Sequence, residues 1–115
     1  MTAFAQGEIY GRKVEQLPEN LTVFTERDAA GNWIVSHSEQ GNHHLLEAEG
    51  VEVLERTTGV PNGMRILYAI VKEPTRMFQD ATVPHGEHRI EPGIYELRIA
   101  REYDPIMEQA RRVAD

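Results

Sequence analysis

A chain of 115 residues is the size of one ordinary domain, and 40% hydrophobic residues suffice for a core. It contains no cysteine, which excludes a disulfide framework, a thiolate zinc site and a cysteine nucleophile, and fits a reducing interior. The net charge of −7 arises between Met1 and Leu97, where 8 basic residues face 15 acidic ones, and no cluster of Lys and Arg offers a phosphate-binding surface.

Turn signals recur at short intervals along the chain: Pro18-Glu19-Asn20, Ala30-Gly31-Asn32, Gly41-Asn42, Glu49-Gly50, Gly59 to Gly63, Glu73-Pro74 and Glu91-Pro92-Gly93. Short β-prone runs lie between them, the pattern of a small antiparallel barrel or sandwich. The predicted strands are Glu8–Val14, Leu21–Thr25, Trp33–His37, His43–Ala48, Val51–Thr57, Met64–Lys72, Arg76–Val83 and Gly93–Arg101, with His88–Ile90 ahead of the last. Met64 to Val71 is apolar on both faces, which predicts a central strand covered on two sides. Tyr95, Leu97 and Ile99 alternate with Glu96, Arg98 and Ala100, which predicts one buried and one wet face. The turn Glu91-Pro92-Gly93 suits a hairpin, since proline presets φ and glycine accepts positive φ.

The end of the chain changes character. Asp104-Pro105 has the chemistry of a helix start, and Ile106, Ala110 and Val113 then fall on one stripe. The expected organisation is a β domain over residues 1–103 and a short C-terminal helix over 104–115, docked on it within a single domain. A helix this short is marginal alone in water.

The chemistry-bearing residues concentrate in two stretches, which hold all five histidines: Ser36-His37 to Glu47, and Pro84-His85-Gly86-Glu87-His88. A hairpin around Ser38 to Asn42 would set His37 opposite His43, Val35 opposite Leu45 and Trp33 opposite Glu47 on one face. On the other face it would set Ser36 opposite His44 and Ile34 opposite Leu46. Directly opposed residues have Cβ atoms about 4.5–5.5 Å apart, close enough for two imidazoles to share one ion. The candidate ligands of a divalent metal are therefore His37, His43 and Glu47, with His85 and His88 able to complete the set; zinc, nickel and manganese are the candidate ions. Without a metal, opposed histidines could act as acid and base. The competing expectation is that the histidines are structural, in a non-enzymatic interaction or virion-assembly protein. A small-molecule-binding barrel without metal is a third.

Two resemblances rest on these residues. His43-x-x-x-Glu47 with the later His85 or His88 is similar to the metal-binding scheme of cupins, small β-barrels, with Asn42 standing where their His-x-His element begins. The His-Ser-Glu-x-Gly-x-His-His element from His37 to His44 resembles small bacteriophage and mobile-element proteins. So does the His-x-x-His at His85 followed by Pro-Gly-x-Tyr ending at Tyr95. The first resemblance implies a metal site, and the second implies an origin and no activity. The sequence-level expectation is a small accessory protein with a histidine-lined site that takes a divalent metal. Its expected partners are a protein or a second copy of the chain, not nucleic acid. With no apolar run of about 18 residues and no signal-like start, the expected location is cytoplasmic, or within a particle assembled there.

Overall fold

A computed structural model describes residues 3–6, 8–37, 43–79 and 87–100. They form ten strands: β1 (Ala3–Gln6), β2 (Ile9–Val14), β3 (Leu21–Val23), β4 (Trp33–Ser36), β5 (His44–Leu46), β6 (Val51–Arg56), β7 (Met64–Val71), β8 (Thr75–Gln79), β9 (His88–Ile90) and β10 (Gly93–Ala100). Two antiparallel sheets result, one of six strands in the order β1-β2-β10-β7-β6-β3 and one of four in the order β4-β5-β8-β9. Neither sheet closes on itself, so the architecture is a sandwich rather than a barrel. The predicted C-terminal helix over 104–115 lies outside the described residues, as does the end of the predicted strand beyond Gln79.

The period-2 alternation decides what lies between the sheets. Leu67, Ala69 and Val71 of β7, Tyr95, Leu97 and Ile99 of β10, Val51 and Val53 of β6, and Phe4 and Ile9 meet Trp33, Val35, Leu46, Met77 and Ile90 from the smaller sheet. The Trp33 indole nitrogen donates to the Val51 carbonyl at 3.1 Å, so the largest core ring is satisfied and also ties the sheets together. β7 is central in its sheet, as its two apolar faces predict, between β10 and β6. The segment after β3 crosses between the sheets: the Phe24 amide donates to the Val53 carbonyl at 3.2 Å, and the Ile34 amide to the Glu26 carbonyl at 3.0 Å. That crossing occupies part of the outer edge of β4, which would otherwise present unpaired amides.

Two expectations are corrected here. Glu91-Pro92-Gly93 does not close a hairpin, because β9 pairs with β8 whereas β10 pairs with β2 and β7. The turn is a corner at which the chain leaves one sheet for the other. β1, absent from the predicted strands, pairs with β2 from Ala3↔Arg12 to Gln6↔Ile9 and forms an edge of the larger sheet. Its Ala-Phe-Ala-Gln sequence has weak strand propensity, and pairing and the burial of Phe4 hold it in place.

Candidate functional site

The β4–β5 hairpin is where the sequence placed the site, and its register is partly as predicted. Ser36 lies opposite His44, but further from the loop Ile34 pairs with Leu45 and Trp33 with Leu46. The register shifts between Ile34 and Ser36, at Val35, and this corrects the predicted pairs Val35–Leu45, Ile34–Leu46 and Trp33–Glu47. An extra residue on one strand of an antiparallel pair turns consecutive side chains to the same side. Val35 and Ser36 are accordingly both buried, and Trp33 faces the core with them.

The predicted ligands are sorted by this geometry. His37 and His43, just beyond the strand ends, have ring centroids 5.0 Å apart in an edge-to-face arrangement. His37 Nε2 also lies 3.5 Å from Glu26 Oε1. Glu47 does not join them. It sits four residues from His43 on an extended strand, roughly 13 Å along it, and its carboxylate accepts from Arg76 Nε at 3.0 Å. His88 is also elsewhere: it lies opposite Met77, three strands along from β4, with its ring stacked on Phe4 at 5.7 Å between centroids. His85 lies outside the described residues. Among the described residues, no three His, Asp or Glu side chains converge so as to hold a metal ion.

On the core side of the same hairpin is a polar cluster that sequence reasoning missed. His44 is buried, with Nδ1 2.8 Å from Gln6 Oε1 and Nε2 3.2 Å from Glu8 Oε2. The other oxygen of Glu8 accepts from the Ser36 hydroxyl. Gln6 Nε2 donates to the Met77 carbonyl at 3.5 Å, which orients the amide so that its oxygen meets the histidine. Gln6 and Glu8 come from β1 and its turn, and Ser36 and His44 from the smaller sheet, so the cluster bridges the two layers. Buried polar groups need partners when water is excluded, and each of these four has at least one among the groups named. The carboxylate is the hub and accepts from both the serine and the histidine. In a nucleophilic relay the histidine would take the serine proton, and here that proton is directed at Glu8.

Two further charge clusters flank this end of the sandwich. Arg65 reaches Glu26 at 2.7 Å and Glu55 at 2.8 Å, and its guanidinium lies over the Phe24 ring. Burial would lower the Arg65 pKa, but hydrogen bonds to Glu55 and Glu26 outweigh it and raise the value above its ordinary range. On the opposite face of the larger sheet, Glu96 accepts from Arg98 at 2.7 Å, Arg12 at 3.2 Å and the Tyr68 hydroxyl at 2.9 Å. Burial alone would push the Glu96 carboxyl up, but those three hydrogen bonds together hold it below the ordinary carboxylate range. Burial and the adjacent Glu96 both push the Tyr68 hydroxyl up. A shallow, open depression lined by Lys13, Val14, Glu15, Gly93 and Ile94 lies where Ile94 pairs with Val14, two residues along each strand from Glu96 and Arg12.

Among the described residues, no helix is long and apolar enough to cross a membrane. Neither the curated proteins nor the solved structures contain a match to this chain. A family model, a domain of unknown function designated DUF8820, matches residues 5–100, from within β1 to the end of β10. The chain belongs to that family.

Proposed function

We propose that this domain is a small binding module whose β4–β5 hairpin takes a divalent metal ion through His37 and His43. The observation that carries the reading is the spacing of the two rings, 5.0 Å between centroids. Two imidazoles on one tetrahedral ion, with metal–nitrogen bonds of about 2.0–2.1 Å, bring their centroids to about the same separation. Glu26, 3.5 Å from His37 Nε2, would orient that ring from behind, as carboxylates do for metal-bound histidines. The pair is reachable, since the His37 side chain is 51% exposed. Water or a partner's side chain would complete the coordination, which makes the ion a bridge rather than an enclosed structural site.

His44 and His88 have structural roles on this reading, one in the buried cluster and the other stacked on Phe4. The test is thermal unfolding of protein purified without a histidine tag, in zinc, nickel, manganese or chelator. An ion that binds only the folded state at 100 times its Kd adds about 2.7 kcal/mol, a readily measured rise in Tm. His37→Ala and His43→Ala should each abolish the rise, because either change breaks the chelate. The rise should also fade in acid, because imidazole must be unprotonated to bind. A wild-type protein whose Tm ignores all three ions would leave the interaction-module reading, in which every histidine is structural.

A further inference from the structure

One imidazole of the proposed pair ends a chain of alternating charges that runs back into the larger sheet. His37 Nε2 lies 3.5 Å from Glu26 Oε1, and Glu26 Oε2 lies 2.7 Å from Arg65 Nη1. Arg65 in turn donates twice to Glu55, from Nε to Oε2 at 2.8 Å and from Nη2 to Oε1 at 3.1 Å. Side-chain exposure falls along this path, from 51% at His37 and 40% at Glu26 to 20% at Arg65 and 22% at Glu55. An isolated surface ion pair adds little and fixes no geometry, whereas a bidentate arginine within a network fixes one.

The backbone sets up each link. Glu55 on β6 lies opposite Leu67, so it shares the core-facing side of the sheet with Arg65, two residues along β7. The Arg65 guanidinium rests over the Phe24 ring, 4.9 Å from its centroid. Glu26 follows in the segment that crosses between the sheets, and its carbonyl accepts from the Ile34 amide at 3.0 Å. That bond seats Glu26 beside β4, the strand that leads into His37. The charges therefore join the centre of one sheet to the hairpin end of the other.

Resting on the reading in which His37 and His43 share an ion, we infer that Arg65 is a positioning residue of that site. It fixes the Glu26 carboxylate behind His37 and so assigns Nδ1 of that ring to the ion. A neutral imidazole has one N–H and one lone pair, and the nitrogen that faces a carboxylate carries the proton. Glu26 faces Nε2, which leaves the lone pair on Nδ1. Arg65 matters because Glu26 Oε2 is buried. Without the guanidinium that charged oxygen would turn out to water and carry Oε1 away from the ring.

The test measures zinc affinity by competition with a chromophoric chelator, in the full-length protein without a histidine tag. Glu26→Ala and Arg65→Gln should each weaken binding about 10–100-fold, the cost of losing an outer partner of a metal-bound histidine. Arg65→Lys keeps the charge without the fork, so it should recover part of that loss, and it stands in if Arg65→Gln does not fold. Glu47→Gln removes a different surface carboxylate, one engaged with Arg76, and should bind as wild type does. The second readout is nitrogen NMR of protein isotopically labelled at its histidines, with the His37 signals assigned in metal-free protein from a His37→Asn variant. It should show zinc on Nδ1 of His37 and the proton on Nε2. Zinc on Nε2 of His37, or Glu26 and Arg65 variants that bind as tightly as wild type, overturns the inference and leaves the paired-histidine site standing. Wild-type protein that binds no zinc overturns that reading and this inference with it.

Discussion

Replacing His44 with alanine separates the structural histidine from the exposed ones, and its cost can be worked from the geometry. The substitution removes the bond to Gln6 at 2.8 Å and the contact with the Glu8 carboxylate at 3.2 Å. A neutral hydrogen bond contributes about 1 kcal/mol and one to a charged group about 1.5–3 kcal/mol. Breaking a buried charged pair by removing one partner costs about 3–5 kcal/mol, since the remaining charge stays desolvated. The Glu8 side chain is 11% exposed and keeps the Ser36 hydroxyl, so the low end applies, about 3 kcal/mol. For a domain of this size each kcal/mol moves Tm by about 4–8 °C, so a fall of roughly 12–24 °C is expected. Urea denaturation monitored by Trp33 fluorescence gives the free energy, and pairing the change with Glu8→Gln in a double-mutant cycle should show coupling of about 0.5–3 kcal/mol. His37→Ala, at a half-exposed side chain, is the control and should stay within about 0.5 kcal/mol of wild type. A His44→Ala protein that loses no more than the control, or shows no coupling to Glu8, would refute the view that this cluster joins the two sheets.

Two other predictions address the larger sheet. The folded-state pKa of Glu96 is depressed, so the stability it adds is fully present above the unfolded carboxylate value of about 4.3 and is lost as pH falls through the lower folded value. Glu96→Gln should therefore destabilise the protein near neutrality by about 1.5–3 kcal/mol and flatten the acid limb of its stability curve, measured by denaturation from pH 3 to 7; an unchanged acid limb would contradict the assignment. A Cβ at Gly11 would come within 2.3 Å of the Phe4 ring, which is held between His88 and Tyr95. Gly11→Ala should cost about 1–3 kcal/mol by overpacking, and Phe4→Leu introduced with it should recover part of the loss. Additive losses in calorimetry would show that the ring does not set the limit.

Much of this fold is legible in the sequence because turn residues punctuate it and two strands carry unambiguous patterns. The two-sided apolar run of β7 marks a central strand, and the alternation in β10 marks which of its faces meets the core; that the two are neighbours is seen only in the sheet. Turn chemistry says less about destination. Pro92-Gly93 constrains the backbone at two residues, and the same constraint serves a hairpin or a corner between sheets, so the β9–β10 crossover was not readable there. The buried cluster was hidden for a different reason. Gln6 lies in a segment of low strand propensity and Glu8 at the first position of a predicted strand, and their partners are 38 and 28 residues away in sequence, so no local spacing signals them. The pair His43-His44 did carry information, because adjacent strand residues face opposite ways and only one could turn inward.

The bulge at Val35 links these observations. In an unbroken strand with Trp33 and Val35 facing the core, Ser36 would point outward and His37 inward. Ile34 and Val35 are both apolar, so the hydrophobic pattern tolerates either register and does not forbid the shift. Inserting the extra residue turns Ser36 into the core, where its hydroxyl meets Glu8, and leaves His37 half-exposed beside His43. One local irregularity therefore completes the polar tie between the sheets and also brings the two outer imidazoles together. Bulges recur where a strand must re-aim a side chain, and in this hairpin the re-aimed residues are the two that separate the structural chemistry from the proposed ligand pair.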